Sequence, residues 1–167
     1  MKTVFRIVFS VIVLLAILLT GLCACADTSY PDRSAEYPDF FTEEDSEAEK
    51  EVKNMIIGMM IDFNAGKYDK YMEAFELSSA DRKASLSTYQ QLDALYEQKF
   101  EIMSMDATAL TDTDAQIYFA QETKNTLRQT GELELHYVSY LLYTLKKENG
   151  AWKIVDQEQD HIVQFTE

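Results

Sequence analysis

Apolar and polar positions repeat with two different periods along this chain, and the period changes near Lys99. Val52, Met55, Ile56, Met59, Met60 and Phe63 recur at the spacing of a single helix face. Thr42 and Asp45 read as a weak capping box, and Glu43, Glu44 and Asp45 suit the positive end of a helix dipole. Asn64-Ala65-Gly66 stops this helix, with Gly66 taking the left-handed turn that follows. A short helix is expected over Tyr68 to Phe75. A longer one is expected from Ser79 to Gln98, with Leu86, Tyr89, Leu92, Leu95 and Tyr96 along its inner side. Met55, Met59 and Met60 are read as core packing rather than as an adaptable groove.

Beyond Lys99 the pattern is that of strands. Phe100 to Thr111, Ala115 to Leu127, Leu133 to Lys147 and Ala151 to Asp160 are separated by Asp112-Thr113-Asp114, Gln129-Thr130-Gly131 and Asn149-Gly150. Asn149-Gly150 is a strong hairpin signal, because both residues accept the positive φ of a type I′ turn. Helices followed by a run of hairpins predict an α+β fold, with N-terminal helices packed on a curved four-stranded antiparallel sheet.

The last hairpin yields a face assignment. A two-residue turn pairs Leu145 with Ile154, Tyr143 with Asp156 and Leu141 with Glu158. Leu141, Tyr143, Leu145, Trp152 and Ile154 then share the face turned to the first helix. Asp156 and Glu158 continue that face beside Tyr143. They are read either as a base within a pocket or as acids where the sheet emerges into water. The opposite face carries Val138, Tyr140, Leu142 and Val155, flanked by Lys146, Lys153, Gln157, Gln159 and His161. Such a patch marks a contact surface or a face covered by the chain's own termini.

The first residues give an address. Lys2 and Arg6 precede an apolar run from Ile7 to Leu22, which ends in Leu22-Cys23-Ala24-Cys25-Ala26. This is the layout of a secretory signal peptide, and its exit resembles the bacterial lipobox. The resemblance implies a signal over residues 1–24 and lipid attachment at Cys25, which tethers the protein to the outer side of a bacterial cell membrane. Both cysteines of the chain lie here, so no disulfide is expected in the domain. Two other readings of the segment remain: cleavage after Ala26, or an uncleaved span, for which the apolar run is short. Residues 25–42 hold both prolines and read as a lipidated N-terminus and flexible acidic tether. Tyr37, Phe40 and Phe41 within it suit either a cap on the domain or a binding segment. Residues 43–167 form the domain.

Charge narrows the classes of partner. With 29 acidic against 15 basic residues and a net charge of −14, the chain repels nucleic acid and anionic headgroups. His136 and His161 have no metal-ligand spacing, and no nucleophile elbow or phosphate loop occurs. Neither metal nor cofactor is expected.

Two phrases carry a family resemblance: Asp62-Phe63-Asn64-Ala65-Gly66-Lys67-Tyr68-Asp69, closing the first helix, and Tyr143-Thr-Leu-Lys-Lys-Glu-Asn-Gly-Ala-Trp-Lys-Ile-Val-Asp156 at the end. They resemble the NTF2-like (SnoaL-like, cystatin-like) superfamily over about residues 43–164. The resemblance implies a cone-shaped pocket, in which an enzyme of the family would keep Asp156 or Glu158 as base, and self-association through the outer sheet face. It does not fix an activity. The reading is a non-enzymatic envelope lipoprotein domain that binds a small apolar ligand or a protein partner. The alternatives are a small lyase or isomerase, and a dimerisation unit of an envelope complex.

Overall fold

A computed structural model describes residues 30–165 of the protein. The expected signal peptide and the expected lipid-attachment site, Cys25, lie outside the described residues. A 3₁₀ turn, Pro38–Phe40, precedes three helices: α1 (Glu47–Asn64), α2 (Tyr68–Glu73) and α3 (Ser79–Leu95). Four strands follow: β1 (Tyr96–Leu110), β2 (Asp114–Leu127), β3 (Leu133–Glu148) and β4 (Ala151–Gln164). They form one antiparallel sheet in the order β1-β2-β3-β4, so β1 and β4 are its edges. Among the described residues no helix is long and apolar enough to cross a membrane.

The expected α+β layering holds, and the helix boundaries shift. Ser46, rather than Thr42, caps α1 by accepting a hydrogen bond from the Glu49 N–H. The Thr42 hydroxyl instead donates to Asp45, which also receives Lys53 Nζ at 2.7 Å. The third helix ends at Leu95 instead of Gln98, and β1 follows without a loop. Leu95 consequently leaves the inner face and is 58% exposed.

Every residue from Val52 to Met60 of α1 is buried, which a helix lying on a sheet achieves only when its back is also covered. The cover comes from the segment expected to be a flexible tether. Tyr30, Tyr37, Phe40 and Phe41 pack on the core, and the Arg33 N–H donates to Asn54 on α1. A Cβ added to Gly58 would stand 2.0 Å from the Tyr30 ring, so glycine is what lets the strap lie this close. Residues 30–41 are therefore a cap.

On the other side of α1, the sheet contributes Ile117, Phe119, Leu141, Tyr143, Leu145 and Ile154, all buried. Trp152 is 7% exposed and its indole N–H donates to Glu51 of α1. The β3–β4 turn has Asn149 at φ 52° and Gly150 at φ 84°, as the Asn-Gly signal requires.

Candidate functional site

The sheet face that supplies the core becomes polar toward one end. Along β2 the inward positions run Ile117, Phe119, Gln121, Thr123; along β3 they run Leu145, Tyr143, Leu141, Ser139, Tyr137. Gln121, Thr123 and Ser139 are buried despite being polar. Polar groups at core positions need partners or a ligand. Gln121 Nε2 donates to Thr123 Oγ1 at 3.2 Å. Beside them opens a pocket of about 300 Å³, walled by Tyr71, Met72 and Phe75 around α2, and by Ser85 and Tyr89 of α3.

Phe63 sets the inner aromatic wall. Its ring stacks on Phe100 at 3.9 Å and meets Tyr68, Tyr71 and Tyr89 edge-on at 5.0–5.4 Å. Phe75 then stands edge-on to Tyr143 at 6.1 Å, and Tyr143 to Phe119 at 4.8 Å. Burial pushes the hydroxyls of Tyr71, Tyr89 and Tyr143 up from the usual tyrosine value. All three remain neutral at physiological pH.

The fourth wall corrects the register expected from the sequence. Leu145 pairs with Ile154 as expected, but Val155 is bulged out, and the pairs beyond it are Thr144–Asp156, Tyr143–Gln157, Leu142–Glu158 and Leu141–Gln159. A one-residue slip exchanges the two faces of a strand. Gln157 and Gln159 thus line the pocket with Tyr143, while Asp156 and Glu158 turn to the other face; all four are exposed, at the end where the strand leaves the core. The bulge follows a clamp on the sheet edge, where Ile154 donates to the Ala74 carbonyl and accepts from the Glu76 N–H. Of the expected catalytic group, Tyr143 alone reaches the pocket. Among the described residues that line it, none is Asp, Glu, Lys, Arg or His.

The outer face keeps Val138, Tyr140, Leu142 and Val155, all half-buried. A second bulge at Asp160 brings His161 opposite Tyr140, and their rings stack at 4.0 Å. Tyr118 stacks on the other side of Tyr140 at 6.3 Å and donates its hydroxyl to Asp160. His136 is held by Glu122 at 2.7 Å. The Lys124 hydrogen bond, followed by that of His136, keeps the Glu122 carboxyl below its ordinary range. Among the described residues no group of three or more His, Cys, Asp or Glu side chains is arranged to hold a metal.

Solved structures share this architecture. A protein from Xanthomonas campestris described as a calcium/calmodulin dependent protein kinase II association domain superposes with TM-score 0.56 at 14% identity, covering 71% of this chain and 90% of its own. Aln2 from a Streptomyces species gives 0.52 at 11% identity over 65% and 85% of the two chains. A ketosteroid isomerase-like protein from Erwinia carotovora atroseptica gives 0.51 at 14% over 70% and 95%. These likenesses concern the fold, which is NTF2-like. No curated protein matches the sequence. Residues 54–165 match the family described as anti-sigma-I factor RsgI9, C-terminal domain, and the chain belongs to that family.

Proposed function

We propose that this protein is a lipid-anchored envelope protein whose domain binds a small uncharged ligand and performs no chemistry on it. One observation carries the reading: the pocket is walled by aromatic, amide and hydroxyl groups and has no charged side chain among the described residues of its lining. A general base must ionise near the working pH and reach the substrate proton. Asp156 and Glu158 face away, and Tyr71, Tyr89 and Tyr143 hold their protons. Charged ligands would lose hydration with no counter-charge to meet them. A neutral molecule with a ring or other apolar body fits the aromatic wall, and its polar group meets Gln121, Gln157 or Gln159. The matched family is named for an anti-sigma-I factor, which supports a regulatory use of the binding.

2-Naphthol, a neutral fluorescent aromatic alcohol, serves as probe. Saturable one-to-one binding is expected, with loss of binding in Ser139→Leu, which fills the floor. A wild-type domain that shows no saturable binding, or a Ser139→Leu protein that binds equally well, contradicts the reading. Anchoring rests on the lipobox-like exit: a clickable fatty acid should label the protein, and Cys25→Ser should abolish the label. Label that survives Cys25→Ser and vanishes in Cys23→Ser moves the attachment site.

A second reading concerns the outer face, where the Tyr118–Tyr140–His161 stack adjoins Val138 and the 43% exposed Val163. Among the described residues, the strap packs on α1 and the chain up to Gln164 forms the end of β4. Self-association through this face predicts that Tyr140→Glu, Leu142→Lys sediments as a smaller species while staying folded.

A further inference from the structure

The three helices are attached to the domain very unequally. Ten residues of α1 and three of the short α2 are buried, whereas none of the residues of α3 is. Leu86 and Tyr89 touch the core only as half-buried side chains. Yet α3 supplies Ser85 and Tyr89 to the pocket wall. Segments with few buried apolar contacts open at a small fraction of the global unfolding free energy.

The helix is nonetheless well made in itself. Ser78 caps it by accepting from the Asp81 N–H, and its hydroxyl donates to the Asp81 carboxylate at 2.6 Å. A self-sufficient helix with weak external packing moves as one piece. Its ends offer two pivots. At one end the Glu76 N–H is held by the Ile154 carbonyl, and the 37% exposed Leu77 leads from there into the Ser78 cap at the pocket rim. At the other, Leu95 passes straight into β1, while Arg128 grips Asp93 with its side chain and the Leu95 carbonyl with its N–H.

We propose that α3 is a hinged lid over the pocket, pivoting at Leu77–Ser78 and Leu95–Tyr96. Its latch is the Tyr89 ring, held against Phe63, Tyr68 and Tyr71. The proposal rests on the ligand-binding reading of the pocket, because it assigns the opening by which a ligand enters. Closure brings Tyr89 back to the aromatic wall, so a bound ligand holds the lid shut.

Hydrogen exchange on the full chain in detergent tests this, with and without saturating 2-naphthol. Amides from Ala84 to Ala94 should exchange at least about tenfold faster than those from Met55 to Met60, as local opening requires. 2-Naphthol should slow the first set selectively. Arg128→Ala, which loosens the far pivot outside the pocket, should speed exchange in α3 and leave α1 unchanged. Equal protection of α1 and α3 overturns the lid while leaving the binding reading intact. Rapid exchange in α3 that bound 2-naphthol does not slow overturns the gating role. A probe that fails to bind at all overturns the pocket reading and the gate together.

Discussion

Asn64 and Phe100 are joined by two hydrogen bonds at the free edge of the sheet: Asn64 Nδ2 donates to the Phe100 carbonyl at 2.7 Å, and Asn64 Oδ1 accepts from the Phe100 N–H at 2.8 Å. One side-chain amide thus does for β1 what a neighbouring strand would do. It blunts the edge against foreign pairing and ties the end of α1 to the residue that stacks on Phe63. Asn64→Ala should lower stability by about 1 kcal/mol, the scale of exposed hydrogen bonds, read as a shift in urea midpoint. An unchanged midpoint would show that the clamp is incidental.

The strap predicts a rescue. Gly58→Ala should destabilise the domain by roughly 1–3 kcal/mol, because its Cβ meets the Tyr30 ring. Tyr30→Ala should also destabilise, by exposing the back of α1. In the double variant the clash is gone, so its loss should be smaller than the sum of the two single losses. Strict additivity would mean that Tyr30 does not lie on Gly58.

Trp152 joins the final hairpin to α1 through both packing and its hydrogen bond to Glu51. Trp152→Ala should cost roughly 3–5 kcal/mol, a large part of the usual margin of about 5–15 kcal/mol. A denaturation midpoint equal to wild type would put the wrong face of the hairpin in the core.

Acid sensitivity follows from carboxyls that their partners hold low, Asp45 and Glu122 among them. Burial alone would raise Asp45, but its hydrogen bonds from Lys53 and Thr42 outweigh that and keep it below the ordinary range. Glu122 is lowered by Lys124 and then His136. A carboxyl depressed on folding gives its full stabilisation above the unfolded value. That contribution is lost as pH falls through the folded value. The urea midpoint should therefore fall as pH drops below about 4, and more gently in the Asp45→Asn, Lys53→Met double variant. Identical slopes for the two proteins would remove Asp45 from this account.

Much of the fold is legible in the sequence because its signals are local and periodic. The face of α1, the Asn149-Gly150 turn and the Leu145–Ile154 pair all follow from spacing alone. The pocket is less legible, for a physical reason. A bulge adds one residue without altering the composition of a strand, so nothing in Ile154-Val155-Asp156-Gln157 announces that Val155 steps out and Gln157 steps in. Gln121 and Ser139 do leave a signal, as polar residues at inward positions of otherwise apolar strands. Tyr89 shows only as an inner-side residue of its helix, and Tyr71 and Phe75 give no signal, since all three reach the pocket through helix packing that no single segment encodes. Composition misleads about the strap: Pro31 and Pro38 suggest a spacer, whereas Tyr30, Tyr37, Phe40 and Phe41 bind it to the core.

The pH profile of 2-naphthol affinity tests the central claim, that the pocket is uncharged because Gln157 and Gln159 occupy the positions the acids would have held. Between about pH 5 and pH 8, where free carboxylates are already ionised and tyrosines are not, wild-type affinity should be flat. It should stay the same in Asp156→Asn, Glu158→Gln. Gln157→Glu should weaken binding and make it recover toward acid pH, as the introduced carboxylate is protonated. A wild-type profile that follows a titrating group, and that disappears in Asp156→Asn or Glu158→Gln, would return the acids to the pocket and contradict the account.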